Sequence, residues 1–345
     1  MPPFPEIEVR FGRKHVVVCG LVLGVFTNVV YATWIITPVF INGAVQATFD
    51  VPSEVTALAS SLLFVGWGVA SPAFGVLSDR RGRRGCLLAS LAVGTWANAW
   101  SALSTSFWSY CGSRFGVGVA LGGGAQSMFH LLIELSPRAS RNVMNCVQSG
   151  SFSLGVAVLC AAAYWTLEVL FAGWRALLLA VAALSLLGAL LVAALVPESP
   201  PSLAARGREL DALRVVEAFA RASRDAPALA RVAALRAAVP PKAAAAAVAA
   251  PGSAGSGGPA KPNICVVLRP SLRAKTLVLA FTWLTATLVY YGISFAAGAL
   301  AGDVYVNSLA LALVDVPATL LGAVIVDRPG VLTGRRGSRR RSSGI

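Results

Sequence analysis

Long apolar stretches, each able to cross a lipid bilayer as a helix, dominate the hydrophobic pattern of this chain. A helix needs about 20 residues to cross roughly 30 Å of hydrocarbon. Stretches of that length with almost no charged residue occur at residues 16–41, 55–77, 86–105, 107–133, 143–166, 174–196, 274–299 and 304–326. Each is predicted to form a helix, because an open strand edge could not satisfy its backbone hydrogen bonds in lipid. The pattern therefore predicts an all-α polytopic membrane protein.

The spacing of these stretches divides the chain into segments of different character. Short connections join the first six stretches, whereas a polar region separates them from the last two. The segments are an N-terminal segment, a six-helix half, a polar region, a two-helix unit and a basic tail, at residues 1–15, 16–196, 197–273, 274–326 and 327–345. Six spans, a linker and further spans form the layout of transporters built from repeats.

The polar region has two parts of different composition. Residues 203–238 are charged and rich in alanine. Apolar residues recur there near helical spacing, at Leu203, Leu210, Leu213, Val216 and Phe219. The spacing predicts one or two amphipathic helices, interpreted as solvated helices that bind nothing. Residues 239–262 are almost wholly alanine, proline, glycine and serine, which predicts a flexible linker, and the tail at 327–345 is predicted to be disordered.

The basic residues predict the orientation of the spans. Of the 29 lysines and arginines, all except Arg114 and Arg175 fall in segments that alternate to one side of the predicted membrane. Cytoplasmic loops carry an excess of lysine and arginine. Both termini are therefore predicted to be cytoplasmic in an integral, multi-pass membrane protein. The plasma membrane is favoured, with a vacuolar or other organelle membrane as the alternative.

Composition excludes several other classes of protein. The chain is 56% hydrophobic and only 13% charged, which is too apolar for an ordinary soluble domain. Its net charge of +14 comes from basic residues between the spans. Nucleic-acid binding is not predicted, because the sequence has no basic surface interleaved with aromatic residues. The six cysteines lack metal-ligand spacing, so neither a metal nor a cofactor is expected. With two histidines, no nucleophile elbow and no nucleotide-binding loop, an enzyme is not predicted.

One charged turn, at residues 75–84, carries the most specific motif of the first half. It reads G-x-L-x-D-R-x-G-R-R and resembles the loop between the second and third spans of the major facilitator superfamily. The resemblance implies that the glycines allow close helix approach and that the aspartate pairs with arginines to latch one conformation. The implied latch residues in the turn are Gly75, Asp79, Arg80, Gly82 and Arg83. An ordinary positive-inside loop is the alternative.

Further segments resemble the organic cation/anion transporter family within that superfamily. They are the glycine-rich stretch after Ser113 and Arg114, the run from Pro197 to Pro200, and the stretch from Trp283 to Tyr305. The chain departs from the family at Pro201, which stands where the P-E-S-P-R motif has arginine. By this resemblance three more residues join the latch, namely Glu134, Arg141 and Glu198. Anchoring of helix ends at the headgroups is the alternative role for Arg141 and Glu198.

Four residues in the predicted spans are candidate substrate contacts: Arg114, Tyr290, Tyr291 and Asp315. Arg114 is expected to bind an anionic substrate, to organise the bundle or to snorkel to the headgroups. The resemblance implies that the two tyrosines face the substrate, and aromatic faces attract amines. Because adjacent aromatic residues cannot both face one cavity, at most one of them is expected to touch the substrate. Asp315 is expected to attract a cation or couple a proton, with structural pairing as the alternative.

Together these features predict secondary transport of a small organic ion by alternating access. The implied partners are the substrate, the lipid bilayer and a coupling ion. A sugar or phosphate porter is the alternative within transport, and a non-transporting membrane fragment or partner-binding membrane protein is the alternative outside it. Because a full facilitator has two complete halves, the two-helix unit implies a truncated product or faulty gene model in preference to a natural short form.

Overall fold

The computed structural model describes residues 9–238, 270–296 and 302–326. Six long helices come first: α1 (Arg13–Phe49), α2 (Ser53–Arg81), α3 (Arg83–Leu103), α4 (Phe107–Leu135), α5 (Arg138–Val169) and α6 (Gly173–Leu195). The later helices are α7 (Pro200–Ala205), α8 (Glu209–Ala222), α9 (Ala226–Ala238), α10 (Pro270–Ala296) and α11 (Val304–Val326). The predicted linker at 239–262 and tail at 327–345 lie outside the described residues.

The all-α fold class is confirmed, since the described ranges contain helices and no strand. Seven of the helices are long and apolar enough to cross a membrane, and the apolar part of α11, Val304–Thr319, is shorter. The helices extend beyond the apolar stretches that predict them, because the absence of charge marks hydrocarbon and not the last helical turn. Thus α1 continues to Phe49 and ends where Asp50 takes a left-handed conformation, with φ 50° and ψ 52°.

Connections of opposite charge lie at opposite ends of the bundle. The α2–α3 turn around Gly82 and the helices α7 to α9 lie at one end, which we name the basic end. Glu168 and Tyr305 meet at the other end, which we name the acidic end. The arginine-rich turn and Glu168 therefore lie at opposite ends, and Arg175 at the start of α6 is a basic residue at the acidic end.

Helices α2 and α4 are in backbone contact, which two glycines permit. A Cβ atom on Gly118 would collide with the carbonyl oxygen of Leu63, and one on Gly66 would collide with the carbonyl oxygen of Phe115. Small residues at helix interfaces allow such close approach and the van der Waals contact that stabilises helix pairs in lipid. The glycine-rich stretch of α4 therefore serves helix packing.

The centre of the bundle is organised around Trp34 of α1, whose side chain is 0% exposed. Its indole Nε1 donates a hydrogen bond to Ser185 Oγ of α6 at 2.7 Å. The ring lies against Gly94 of α3, where a side chain would occupy the space of the indole. A buried tryptophan needs such a partner for its N–H group. Trp34 thus ties three helices together.

The amphipathic helices α8 and α9 pack on the N-terminal segment, which corrects the interpretation of solvated helices that bind nothing. Leu213, Val216 and Phe219 of α8 are between 3% and 8% exposed. Lys14 lies over the Phe219 ring at 5.0 Å, and the Arg10 backbone N–H donates to the Asp225 carboxylate at 2.8 Å. The apolar face therefore has a partner within the same chain.

Helices α10 and α11 are attached to the six-helix bundle unequally. Helix α11 packs along α5, whereas α10 makes a smaller contact with α1. At the acidic end, Tyr305 donates a hydrogen bond to Glu168 at 3.0 Å and its ring stacks on Phe40 at 5.7 Å. These contacts bring α10 and α11 alongside the first half.

Candidate functional site

The α2–α3 turn positions the first of the predicted latch residues. Asp79 lies in the last turn of α2 and Arg83 in the first turn of α3, and Arg83 Nη1 lies 2.8 Å from Asp79 Oδ1. Gly82 joins the helices with φ 103°, a conformation that favours glycine. Arg83 Nε also lies 3.1 Å from Glu134 Oε1 at the end of α4. The structure thus brings Asp79, Arg83 and Glu134 together, as the motif predicts.

Glu198 lies beside this group and joins it to the chain after α6. Its carboxylate accepts the backbone N–H groups of Arg84 and Ser199, each at 3.1 Å. The Ser199 hydroxyl donates to Glu134, so the two carboxylates belong to one hydrogen-bonded network. With the Glu134 and Glu198 side chains 21% and 16% exposed, the network is partly buried. Such a network is screened less by solvent than a surface ion pair.

Arg206 supplies a cation to Glu198, and the sequence motif did not predict it. Its Nη2 atom lies 3.4 Å from Glu198 Oε2, and its Nη1 atom donates to the Arg81 carbonyl at 2.8 Å. Pro201, which departs from the family motif, is the second residue of the short helix α7, which carries the chain to Arg206. In the sequence, its position shortly after the Pro-Glu-Ser-Pro run was the only feature that could have identified Arg206 as a partner of Glu198.

The remaining latch candidates have other surroundings. Arg141 Nε donates to the carbonyls of Ile133 and Ser136 at 3.1 and 3.3 Å, which caps the end of α4. Arg80 is exposed. A Cβ atom on Gly75 would meet open space, so the expectation of close helix approach there is wrong. Helix α2 contacts α4 on both sides of this position, through Phe74 beside Gly123 and through Ser78 beside Ser127, but Gly75 itself does not lie in the contact.

Arg114 is enclosed between α3 and α4. Its side chain is 0% exposed, so it does not snorkel to the headgroups. Its Nη2 atom donates to Asn98 Oδ1 at 3.0 Å and to Ser101 Oγ at 2.7 Å, and its guanidinium lies 5.5 Å from the Tyr110 ring centre. Asn98 and Ser101 were not predicted as partners, although their spacing places them on one face of α3. Arg114 thus has a polar setting without a carboxylate in the described part of the chain.

Asp315 lies where three helices meet. The Tyr290 hydroxyl of α10 donates to Asp315 Oδ2 at 2.9 Å, and the Ser153 hydroxyl of α5 lies 3.3 Å from the same oxygen. No basic side chain pairs with Asp315 within the ranges that the structure describes. The carboxylate therefore joins the first half to the two later helices through hydroxyl groups alone.

Aromatic rings from both parts of the chain lie beside this carboxylate. Tyr291 contacts Phe64 and Trp67 of α2, with ring centres 5.1 and 6.4 Å apart. Tyr290 instead contacts Phe152 of α5 at 6.0 Å. The adjacent tyrosines thus point to different helices, as expected for neighbours that cannot share one face. The residues Phe64, Trp67 and Phe152 had not been singled out, because apolar aromatics in a span carry no distinguishing sequence signal.

A metal site is not found among the described residues, where no group of three or more histidine, cysteine or acidic side chains converges. Polar groups converge in the network at the basic end, around Arg114, and around Asp315 where α5, α10 and α11 meet. The network at the basic end can hold helix ends together, and the Asp315 group can attract a positive charge.

Comparison with known proteins gives consistent relatives. The chain is 30% identical over 275 residues to organic cation/carnitine transporter 4 of Arabidopsis thaliana, covering 79% of this chain and 49% of the relative. It is 31% identical over 272 residues to human solute carrier family 22 member 13, covering 78% and 45%. The predicted resemblance to organic-ion transporters is thereby confirmed. The chain spans about half the length of these curated relatives.

Solved structures agree at the level of the fold. The proton:xylose symporter XylE bound to a bromo-deoxy-glucose aligns with a TM-score of 0.63 at 14% identity, covering 92% of this chain and 70% of that one. An inward-open, partially occluded form of XylE from E. coli aligns with a TM-score of 0.56 at 16% identity, covering 90% and 86%. The sequence model of the Major Facilitator Superfamily matches residues 26–343. This chain is a multi-pass membrane protein that belongs to the Major Facilitator Superfamily.

Proposed function

We propose that the chain takes part in transmembrane transport of a small organic cation. The observation that carries the proposal is Asp315, a carboxylate in a membrane helix that receives hydrogen bonds only from Tyr290 and Ser153 in the described structure. A charge in a membrane interior is costly, and when retained it marks an ion or substrate pathway. The names of the relatives, an organic cation/carnitine transporter among them, favour the same class of substrate.

The surroundings of Asp315 fit an organic cation better than a sugar or an anion. The Tyr290 hydroxyl donates to the Asp315 carboxylate, and the rings of Tyr291 and Phe152 lie 5.3 and 6.0 Å from the Tyr290 ring. A protonated or quaternary amine gains from both a carboxylate and aromatic faces. Arg114, the candidate anion contact, is enclosed by Asn98, Ser101 and Tyr110, so we assign it to bundle organisation. The likeness to XylE concerns the fold and gives no support for a sugar.

Alternating access supplies the mechanism in this proposal. The Asp315 group lies between the first half and the later helices, which is where such transporters bind substrate. The network of Arg83, Glu134 and Glu198 would hold the basic end closed in one state and separate in the other. We assign the basic end to the cytoplasm, following the excess of arginine there. The substrate, the bilayer and a coupling ion are the proposed partners, and the plasma membrane is the proposed location.

Uptake by reconstituted protein tests the proposal. The full chain in liposomes is expected to accumulate radiolabelled tetraethylammonium in preference to para-aminohippurate, an organic anion, and to glucose. Binding of tetraethylammonium to the same protein in detergent is measured in parallel. Binding without uptake would support the cation site and reject transport by this chain, in favour of a membrane protein that binds without transporting. Equal uptake of all three solutes would overturn the cation preference.

A pair of aspartate variants on α11 sharpens the test. Asp315→Asn removes the negative charge of the proposed site. It should weaken tetraethylammonium binding by about tenfold or more, because the cation loses its charged partner. Asp303→Asn is the matched control, because Asp303 caps the start of α11 through the Tyr305 N–H at 2.7 Å and asparagine retains capping. Equal affinity for Asp315→Asn and the native chain would remove Asp315 from the site.

A further inference from the structure

A polar cavity lies at the basic end, apart from the Asp315 group. It has a volume of about 440 Å³, within the range of about 300–1,000 Å³ that holds small ligands. Helices α2, α3, α7 and α8 form its walls. Five arginines line it, namely Arg81, Arg84, Arg206, Arg208 and Arg214. Such a concentration of guanidinium groups around one cavity suggests an anionic ligand.

The carboxylates that line the cavity do not balance these arginines. Asp211 is shared between Arg208 and Arg214, whose nitrogens lie 2.8 and 2.9 Å from its two oxygens. Glu198 is the only other acid in the lining, and its contact with Arg206 is 3.4 Å long. Five positive charges less two negative ones leave a net charge of +3 in the lining. The electrostatic field of the cavity therefore attracts an anion of multiple charge.

Two of the five guanidinium groups lack an acidic partner. In the described part of the chain, neither Arg81 nor Arg84 forms an ion pair. Arg84 donates one hydrogen bond to the Ala193 carbonyl at 2.7 Å. Its Nε atom and Arg206 Nη2 have no hydrogen-bond partner, but both are buried and are not counted as contacts for a ligand. Phosphate oxygens match the unpaired arginines, because arginine binds phosphate through paired, charge-assisted hydrogen bonds.

The position of the cavity adds an apolar surface to this basic one. Arg81 and Arg84 flank the turn where α2 and α3 leave the apolar part of the bundle. Leu88 of α3, Leu203 of α7 and Val215 of α8 complete the lining. A headgroup bound here would have its phosphates among the arginines and its chains along the membrane-facing side. A soluble phosphate-bearing anion would bind to the arginines without contacting the apolar side.

We propose that this cavity binds a phosphomonoester-bearing anion, with a phosphoinositide headgroup of the adjoining leaflet and a soluble inositol phosphate as the two sources of the same chemistry. The site is separate from the Asp315 group, so the inference goes beyond the proposed transport function. Basic clusters beside membrane helices attract such lipids, and each lysine or arginine near an anionic surface strengthens attachment. Occupancy would also bridge α2, α3 and α8, and so favour the arrangement in which Glu198 holds the basic end together.

Native mass spectrometry of the full chain tests the proposal. The protein is mixed with phosphatidylinositol bisphosphate, with phosphatidylcholine, or with soluble inositol trisphosphate, and bound molecules are counted. The double variant Arg81→Gln with Arg214→Gln removes two arginines of the cavity and is expected to weaken bisphosphate binding by about tenfold or more. The control pair, Arg221→Gln with Arg224→Gln, removes the same charge from exposed positions outside the cavity and is expected to bind like the native chain.

The two ligand sources give different results. Binding of the lipid alone identifies a membrane headgroup, whereas equal binding of inositol trisphosphate identifies the soluble anion, and either supports the site. Equal binding by the native chain and the cavity variant would overturn the proposal, as would an equal loss in the control pair. Thermal unfolding of each variant is measured in the same detergent. Arg81→Lys with Arg214→Lys keeps the charge but not the paired guanidinium donors, so it is expected to restore binding in part. Because the readout is lipid binding, its failure leaves the proposed transport function untouched.

Discussion

The first six helices and the two later ones, α10 and α11, contrast in how they hold their apolar residues. In the first half Trp34 and Leu63 are 0% exposed. In α10 Trp283 is 66% and Leu288 is 71% exposed, although the helix is equally able to span a membrane. Lipid tails are as apolar as leucine, so such a surface is compatible with a bilayer. The first half is thus a packed bundle, while α10 joins it through Tyr290 and Tyr291.

This difference separates stability from the proposed binding. In the first half, Gly66, Gly118 and Trp34 form helix contacts in which Tyr290, Tyr291 and Asp315 take no part. The later helices contribute Tyr290, Tyr291 and Asp315, which lie at their contacts with α2 and α5. Substitutions in the first half should therefore unfold the bundle, whereas substitutions in the later helices should alter ligand affinity at nearly constant stability.

The largest expected effect is that of Gly118→Leu. A side chain at this position would collide with the backbone of α2 at Leu63, and backbone cannot move aside without separating the helices. We expect a loss of at least about 3 kcal/mol in stability, the upper range for overpacking. Fluorescence-detected size-exclusion after heating measures it.

Gly292→Leu in α10 is the matched control for Gly118→Leu. The new side chain at Gly292 would meet open space within the described structure, so the melting temperature should stay close to that of the native chain. Equal destabilisation by the two substitutions would break the contrast between a packed half and an exposed α10.

The next largest effect is expected at the Tyr290 hydroxyl of α10, which donates a hydrogen bond to Asp315. Tyr290→Phe removes this donor while keeping the ring, and we expect tetraethylammonium affinity to fall by about tenfold, as for loss of a hydrogen bond to a charged group. Tyr291→Phe should leave affinity unchanged, because that side chain contacts Phe64 and Trp67 through its ring. Isothermal titration of both variants in detergent measures the difference. A loss confined to Tyr291→Phe would transfer the binding role to the α2 side.

A smaller effect is expected at the network of the basic end. Arg83→Gln breaks contacts with Asp79 and Glu134, whereas Arg80→Gln changes an exposed arginine of the same turn. Since partly buried ion pairs contribute modestly, we expect a shift of up to about fivefold in the open-to-closed ratio for Arg83→Gln alone. Distances between spin labels on α2 and α11 report the ratio. Equal distances in both variants would limit Arg83 to helix anchoring.

The fold could be predicted from the sequence to a greater extent than the site. Charge-free stretches suffice to locate spans, since lipid imposes one rule on every residue in them. The pairing of Asp79 with Arg83 could be predicted too, because the two residues lie near each other along the chain. Arg206 and Phe64 could not, as their partners Glu198 and Tyr291 reach them only through helix packing. The face of α8 was visible in the sequence, but its partner Val9 lies far along the chain.

The smallest effect is expected at a contact that belongs to neither membrane unit. Asp225 is 5% exposed and accepts the backbone N–H groups of Arg10 at 2.8 Å and Ala228 at 3.2 Å. The hydrogen bond from Arg10 is the main reason that the pKa of Asp225 is lowered in the folded chain. A carboxyl group with a lowered folded pKa stabilises the fold above its unfolded pKa and loses that contribution as the pH falls.

Acidification from about pH 6 to about pH 3, across the ordinary aspartate pKa, should therefore loosen the N-terminal segment from α8 and α9. Amide hydrogen exchange at Arg10 and Ala228, corrected for the intrinsic dependence on pH, measures this release. Asp225→Asn retains one acceptor oxygen in place of two, so it can accept the N–H of Arg10 or of Ala228 but not both in this geometry. It has no carboxyl group to protonate, so its protection, although lower at the start, should change less over the same range. Exchange in α1 to α6 should stay constant in both proteins, because the Asp225 contact lies outside the packed bundle. If protection falls equally in the native chain and the variant, the acid-sensitive group lies elsewhere.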